Sequence, residues 1–274
     1  VLLATGLSGG YEGNVLFKDV ELRIGRGQRI GVVGPNGSGK STLMKILAGR
    51  MKALAGTVNM GHGAQVAYYD QNTSHLRDDG TPHTEIGRFH PTFTDLEIRS
   101  HLARFLFRGS NVGKSVAALS GGERARLCLA LLVLSKPSWM ALDEPTNHLD
   151  LASRTALEEM LSEFQGALVC ISHDREFLDG LCTHIIEVSD GGIREFEGNY
   201  TAWRKVKEAE RTTATEARAD AATQAKRVAR EKAEAAPKKK KGKKGRSSGG
   251  KVRNPYQFER LEKRIITLEE ELEA

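Results

Sequence analysis

No run in this 274-residue chain approaches the roughly 18 consecutive apolar residues that a membrane-spanning helix requires, so the sequence predicts no membrane segment. Nothing near its start reads as a secretory signal, and Val1 leads almost at once into a strand pattern, as a fragment of a longer protein would. Cysteine is scarce. Cys128, Cys170 and Cys182 are odd in number, lack metal-ligand spacing and fall in apolar segments, which predicts buried, reduced thiols and a cytoplasmic setting. Strand formers are nearly missing after residue 200, and acids are missing between Pro237 and Arg253. That second absence locates the charge: the nine Lys and Arg residues of this stretch exceed the whole chain's net +6, so the remainder is net acidic and the basicity belongs to one segment. The length suits one substantial α/β core with an appendage and is too short for two such cores.

Residues 1–200 alternate strand and helix patterns and are expected to form the globular domain. Strands around Val15–Phe17 and Val20–Ile24 suggest an antiparallel β layer beside a parallel core read at Arg29–Val33, Trp139–Asp143, Ala167–Ser172 and Ile185–Val188. A polar helical insert at about 72–118 is the natural lid, and Thr94-Asp95-Leu96-Glu97 fits a capping box ahead of Ile98, Leu102, Phe105 and Leu106. The chain then continues as a charged helical segment at 201–236, a basic linker at 237–253 too polar to build a core, and the start of a coiled-coil helix at 254–274. In that last piece Asn254-Pro255 supplies a helix start, and Phe258, Leu261, Ile265, Leu268 and Leu272 recur three and four apart.

Against this frame, Gly34-Pro35-Asn36-Gly37-Ser38-Gly39-Lys40-Ser41 fits G-x-x-x-x-G-K-[ST] between a strand pattern ending at Val33 and a helix pattern opening at Thr42. Glycine turns let successive backbone N–H groups face phosphates, Lys40 adds charge, and Ser41 offers a hydroxyl to Mg²⁺. Gly109-Ser110-Asn111-Val112-Gly113-Lys114-Ser115 is a useful control, because Arg108 stands where its first glycine should be and no helix follows; Gly113-Lys114-Ser115 reads as a loop. Leu142-Asp143-Glu144-Pro145 closes an apolar strand, with Asp143 assigned to the metal and Glu144 to polarising a water. Adjacent strand residues face opposite ways, so both acids can serve one site only if the strand ends there, which Pro145 favours. Ser172-His173-Asp174 follows another apolar strand and sets His173 on the same carboxyl-end edge as a γ-phosphate sensor. Leu119-Ser120-Gly121-Gly122-Glu123 opens a helix whose free N–H groups attract phosphate, although Ser120 also reads as an ordinary N-cap.

The combination resembles the ATP-binding cassette superfamily over residues 1–200, and Asp143 to Asp150, Ser172 to Asp179 and Gly198-Asn199-Tyr200 resemble its ABC-F family. The resemblance implies an Mg²⁺-dependent ATPase in a cytoplasmic protein with tandem cassettes and a ribosome-associated role. It implies that this chain is the second cassette with part of a C-terminal extension, and that each ATP lies between the P-loop of one cassette and the LSGGE signature of another. Catalytic roles fall to Glu144, His173 and Lys40. Nucleotide contacts fall to Tyr11 (stacking on adenine, where Phe17 reads better as core), Gly34, Asn36, Gly37, Ser38, Gly39, Lys40, Ser41 and Thr42, to Gln71, to Ser120, Gly121, Gly122 and Glu123, and to Asp150 at the cassette seam. Ser41, Gln71 and Asp143 would attend the metal. Gln71 also reads as a plain strand end and Asp150 as a helix cap; His148 carries no catalytic assignment.

The partners implied are a second cassette and the ribosome with its rRNA and tRNA. A membrane-transporter subunit is the competing reading, opposed by Thr146-Asn147-His148-Leu149-Asp150 and the basic tail. A third makes the Lys238–Arg253 cluster a nonspecific nucleic-acid contact; it has no interleaved aromatics for base stacking, and it reads equally as a solvated linker. The first cassette and the linker between cassettes are not in this sequence, and Trp139 and Ala141 stand where the superfamily usually has aliphatic residues.

Overall fold

The structure, a computed structural model, describes residues 2–215 apart from 12, 71–75, 148 and 214. The basic linker and the coiled-coil helix expected from the sequence lie outside the described residues, as do Gln71 and His148.

Two sheets make the frame. β1 (Leu2–Tyr11), β2 (Asn14–Ile24) and β4 (Ala55–Met60) form an antiparallel sheet with β1 in the middle. The two early strands expected from the sequence are one strand, β2, bent where Asp19 takes a positive φ of 51° beside register shifts against β1. The six-stranded sheet runs β5 (Val66–Tyr69), β6 (Trp139–Asp143), β7 (Ala167–Ile171), β3 (Arg29–Val33), β8 (His184–Ser189) and β9 (Gly192–Glu197), parallel except for β9 at its edge. Strands with both faces covered need apolar residues on both, and the central strands β6, β7 and β3 are apolar apart from Arg29 at the start of β3 and Asp143 at the end of β6. Ile30, Val32, Trp139, Ala141, Val169 and Ile171 face a core shared with the antiparallel sheet and with α1 (Lys40–Leu47). Val33, Met140, Leu142, Leu168 and Cys170 face the other way, onto α4 (Gly121–Leu134), α5 (Leu151–Glu163) and α6 (Arg175–Leu181). Trp139 and Ala141 are fully buried, with the large and the small side chain next to one another on a single face.

The insert after β5 holds α2 (Pro82–Phe89) and α3 (Asp95–Arg104), then 3₁₀ turns at Gly109–Gly113 and Val116–Ala118. Thr94 caps α3 in the expected box: it accepts from Glu97 N–H, while the Glu97 carboxylate accepts Thr94 N–H at 2.7 Å. Thr81 and Thr84 form a second box on α2. Ile86, Ile98, Leu102 and Phe107, all buried, join the insert to the α4 side of the core. Residues 200–213 form a helix, α7, that packs on the same core through Tyr200 and Trp203 and is tied to β8 by Lys207–Glu187 at 3.0 Å.

Candidate functional site

Three motif-bearing loops leave the carboxyl ends of three adjacent strands. β6, β7 and β3 are neighbours in that order, with Asp143 paired to Ile171 and Ile171 to Val32, so their ends are level. The carboxyl edge of a parallel sheet is where such folds bind ligands.

The loop after β3 is shaped by glycine. Gly34, Gly37 and Gly39 have positive φ values of 148°, 79° and 102°, and a Cβ on Gly34 would lie 2.2 Å from the Val188 carbonyl oxygen. Gly39 stands at the N-cap of α1, which has no capping side chain and no acid in its first turn. Its first amides are therefore not satisfied by a local cap, the arrangement that suits an anion. Lys40 Nζ donates to the carbonyls of Gly34 (2.9 Å) and Pro35 (2.8 Å), and burial holds its pKa below the ordinary lysine value despite the opposing charges of Glu144 and Asp143. Ser38 Oγ is buried with no hydrogen-bond partner, an unfilled polar position inside the loop. Asn36 and Gly37 are exposed, whereas Thr42 is buried in the first turn.

Ser41 Oγ donates to Asp143 Oδ1 at 3.2 Å, so two of the expected metal ligands meet. Both are hard oxygen donors, which suits Mg²⁺, and a cation of that kind takes its remaining ligands from phosphate and water. No group of three or more His, Cys, Asp or Glu capable of holding a metal occurs among the described residues. The other oxygen, Asp143 Oδ2, accepts the Tyr68 hydroxyl at 3.3 Å. Tyr68 was not among the residues expected at the site. Strand alternation carries the signal: Val66 and Tyr68 face the α1 side of the sheet, while Ala67 and Tyr69 face the insert. Burial, with Asp143 beside it, raises the Tyr68 pKa, so the phenol keeps its proton and remains a donor.

Glu144 turns out of the strand in a left-handed conformation, φ 52°, while its N–H still donates to Ile171 O at 2.9 Å. The strand ends at Asp143, as the adjacent acids required. Non-glycine residues pay for that region and occupy it mostly at turns and functional sites. The Glu144 carboxylate accepts His173 N–H at 3.3 Å and lies 3.5 Å from His173 Nε2. Its side chain is largely covered while the His173 ring is two-thirds exposed, at 67 %. Ser172 Oγ shares a hydrogen bond with Thr146 Oγ1 at 2.9 Å and accepts Asp174 N–H at 3.0 Å, joining the two loops behind the pair.

The Leu119–Glu123 motif lies elsewhere on the chain's surface. Ser120 caps α4, accepting Glu123 N–H at 3.2 Å, and the Glu123 carboxylate accepts Ser120 N–H at 2.7 Å. Ser120 to Glu123 line a depression with Arg126 and Asp150 and with no P-loop residue. The cavity beside the P-loop, lined by Gly34, Pro35, Lys40, Ser172 and His173 among others, holds none of those residues. Asp150 caps α5, accepting Ser153 N–H at 2.9 Å, and its carboxylate lies 3.9 Å from Arg126; these contacts hold its pKa below the usual carboxylate value, the Ser153 bond foremost. Its cap role and its place beside the LSGGE segment coexist. Tyr11 ends β1 and is 57 % exposed, available for stacking, whereas Phe17 is fully buried and is core.

Residues 17–147 match the family model described as ABC transporter. The chain belongs to the ATP-binding cassette superfamily. Its relatives are of the ABC-F type. It is 41 % identical over 191 residues to "Probable ATP-binding protein YheS" of Haemophilus influenzae, covering 69 % of this chain and 30 % of that one. It is 38 % identical over 212 residues to the energy-dependent translational throttle protein EttA of Escherichia coli, 76 % of this chain and 38 % of that one. It is 38 % identical over 193 residues to ABC transporter F family member 5 of Arabidopsis thaliana, 70 % of this chain and 28 % of that one. The cassette thus spans about a third of the length of the curated relatives it matches. Among solved structures, an ATP-binding subunit of an ABC transporter aligns with a TM-score of 0.63 at 22 % identity, over 72 % of this chain and 90 % of that one. A dimeric post-hydrolysis cassette bound to ADP and Pi aligns with a TM-score of 0.59 at 20 % identity, over 72 % and 98 %. At these identities the two establish the fold: an α/β cassette with an antiparallel layer. No described helix of this cassette is long and apolar enough to cross a membrane.

Proposed function

We propose that this chain is the ATP-hydrolysing cassette of a two-cassette ABC-F protein, in which closure on ATP is coupled to the ribosome. The observation that carries the reading is the separation of the two phosphate-binding ends. The P-loop and the Ser120–Glu123 helix start open into different concavities, so a nucleotide held by one reaches the other only on a second cassette. The ribosomal part rests on likeness to the translational throttle protein.

In this reading the amides from Gly37 to Ser41 take the β- and γ-phosphates, and Lys40 exchanges its two carbonyl partners for phosphate oxygens. Ser41 and Asp143 would hold Mg²⁺, which supplies charge neutralisation on the phosphates. Tyr68 and Ser41 fix the Asp143 carboxylate from both oxygens. Glu144 accepts a proton from the attacking water as the new oxygen–phosphorus bond forms and the bond to ADP breaks. His173, whose Nε2 lies 3.5 Å from that carboxylate, would contact the γ-phosphate. Tyr11 offers its face to adenine.

Glu144→Gln tests the enzymatic half. Single-turnover hydrolysis should fall by about 10²–10⁴-fold with ATP binding retained, because the amide keeps the shape and loses the base. Undiminished hydrolysis would remove Glu144 from the role. The ribosomal half is tested in the full two-cassette protein by co-sedimentation with ribosomes in ATP; lost turnover without ribosome retention would leave the ATPase and defeat the coupling.

A further inference from the structure

The Gly113-Lys114-Ser115 triplet fails as a phosphate loop, yet its lysine has a defined place. Lys114 Nζ donates to Glu123 Oε2 at 3.0 Å, the same oxygen that accepts Ser120 N–H. The segment carrying it is braced on residues 78–80. Ser115 Oγ donates to the Asp78 carbonyl at 2.9 Å, Ala117 N–H to the same carbonyl at 3.0 Å, and Val116 N–H to Gly80 O at 2.8 Å. The lysine is only half-buried, while the Glu123 side chain is 15 % exposed.

Glu123 creates an electrostatic conflict. A carboxylate at the third position of a helix is favourable, since it satisfies an amide and meets the positive end of the dipole. The same carboxylate opposes a second anion at that helix end, because like charges a few ångströms apart repel appreciably near a protein surface. Arg126, the cation that lines the depression, is held by Ser153, by Asp150 at 3.9 Å and over the Phe107 ring at 5.7 Å. Arg124 is drawn away to Asp78 at 3.0 Å. Among the described residues the cation bonded to Glu123 is Lys114.

We propose that Lys114 is a positioning residue for the shared site: by cancelling the charge of Glu123 it lets the triphosphate held by the facing cassette approach the N-terminus of α4. The inference rests on the two-cassette reading above and adds the residue that makes the signature end electrostatically acceptable.

The test is a double-mutant cycle on nucleotide-dependent association. In a Glu144→Gln background, which keeps ATP intact, sedimentation velocity of the full chain is followed with and without Mg-ATP, alone and mixed with its upstream cassette. Lys114→Met should weaken the ATP-dependent association about tenfold at low salt and less at high salt, where exposed charges are screened. Lys114→Arg should hold it near the parent value. Lys114→Met combined with Glu123→Gln should restore it to within about twofold, since the glutamine amide keeps the capping bond without the charge. Binding of a fluorescent ATP analogue to the isolated chain at the P-loop should be the same for Lys114→Met and Lys114→Arg as for the parent. Association of Lys114→Met equal to the parent, or a double variant as weak as Lys114→Met, would overturn the proposal, the latter by showing that the lysine only packs. If the parent chain associates with no cassette in ATP, the two-cassette reading fails and this inference falls with it. If the parent associates and only the cycle fails, that reading stands.

Discussion

The N-termini of α1 and α4 are assigned to the same ligand and are built in opposite ways. α1 starts from Gly39 with no capping side chain and no acid in its first turn. α4 starts from a closed box in which Ser120 and Glu123 satisfy each other's amides, with Lys114 bonded to the acid. The first end has no local cap to lose when phosphate arrives. The second has the amides of Ser120 and Glu123 already bonded without ligand, and an anion there competes with those bonds. Under the two-cassette reading proposed above, this difference predicts an order of events: nucleotide binds first to the P-loop of one cassette, and the signature end joins only when the second cassette arrives. A hydroxyl that caps a helix and also meets a phosphate does both at reduced strength, so the signature end adds selectivity for a closed pair more than initial affinity.

The largest test of the contrast is Gly34→Ala. A methyl there meets the Val188 carbonyl at 2.2 Å in a backbone region that L residues rarely adopt, so the loop must move. Stability should drop by about 2–3 kcal/mol, and ATP affinity, read by calorimetry, should fall more than tenfold. Unchanged affinity would mean that the loop geometry is not what binds phosphate.

At the other end, Ser120→Ala removes the cap. The expected cost is about 1 kcal/mol, read as a melting temperature lower by roughly 3 °C. Nucleotide binding by the isolated chain should not change, because the P-loop end is separate. Ser120→Asp sharpens the comparison: it keeps the cap, so the melting temperature should hold, while its added charge should weaken ATP-dependent pairing. A fall in the isolated chain's ATP affinity with either variant would break the separation.

The smallest effect concerns His101 of α3, whose Nε2 bonds the Ala130 carbonyl of α4 at 2.9 Å. Burial lowers its pKa below the ordinary value of 6.5, with the charge of Arg104 adding to the fall and the Ala130 bond opposing it. The folded state therefore favours the neutral ring. Its contribution is complete above the unfolded pKa and is lost as pH falls from about 6.5 toward the depressed folded value. Thermal unfolding followed from pH 7.5 to 5 should show a small loss that His101→Gln abolishes; an identical pH profile in the variant would remove this source.

The sequence reading was strongest where one short segment carries both the chemistry and its geometry. The helix caps at Thr94 and Ser120 follow from residues three apart. The box at Thr81 is harder to read, because its third residue is Thr84 rather than Glu or Gln. The two early strands read at Val15–Phe17 and Val20–Ile24 are one, because tertiary pairing with β1 carries Lys18 and Asp19 through a register shift.

By itself the sequence determined the phosphate loop, the acid pair at a strand end, the alternating α/β core and the helix-opening LSGGE run, because each depends on local backbone preference or on a period of two or four residues. Only the tertiary structure decided that Tyr68 meets Asp143, which lies 75 positions away in the chain, and that Lys114 of a rejected motif meets Glu123. It also decided that Glu144 leaves its strand left-handed while bonded to β7, and that the P-loop and the Ser120–Glu123 helix start open into separate concavities. The physical reason is one of range: dihedral preferences and amphipathic periods act over a few residues, whereas which polar groups meet at a sheet edge is fixed only once packing sets the strand order.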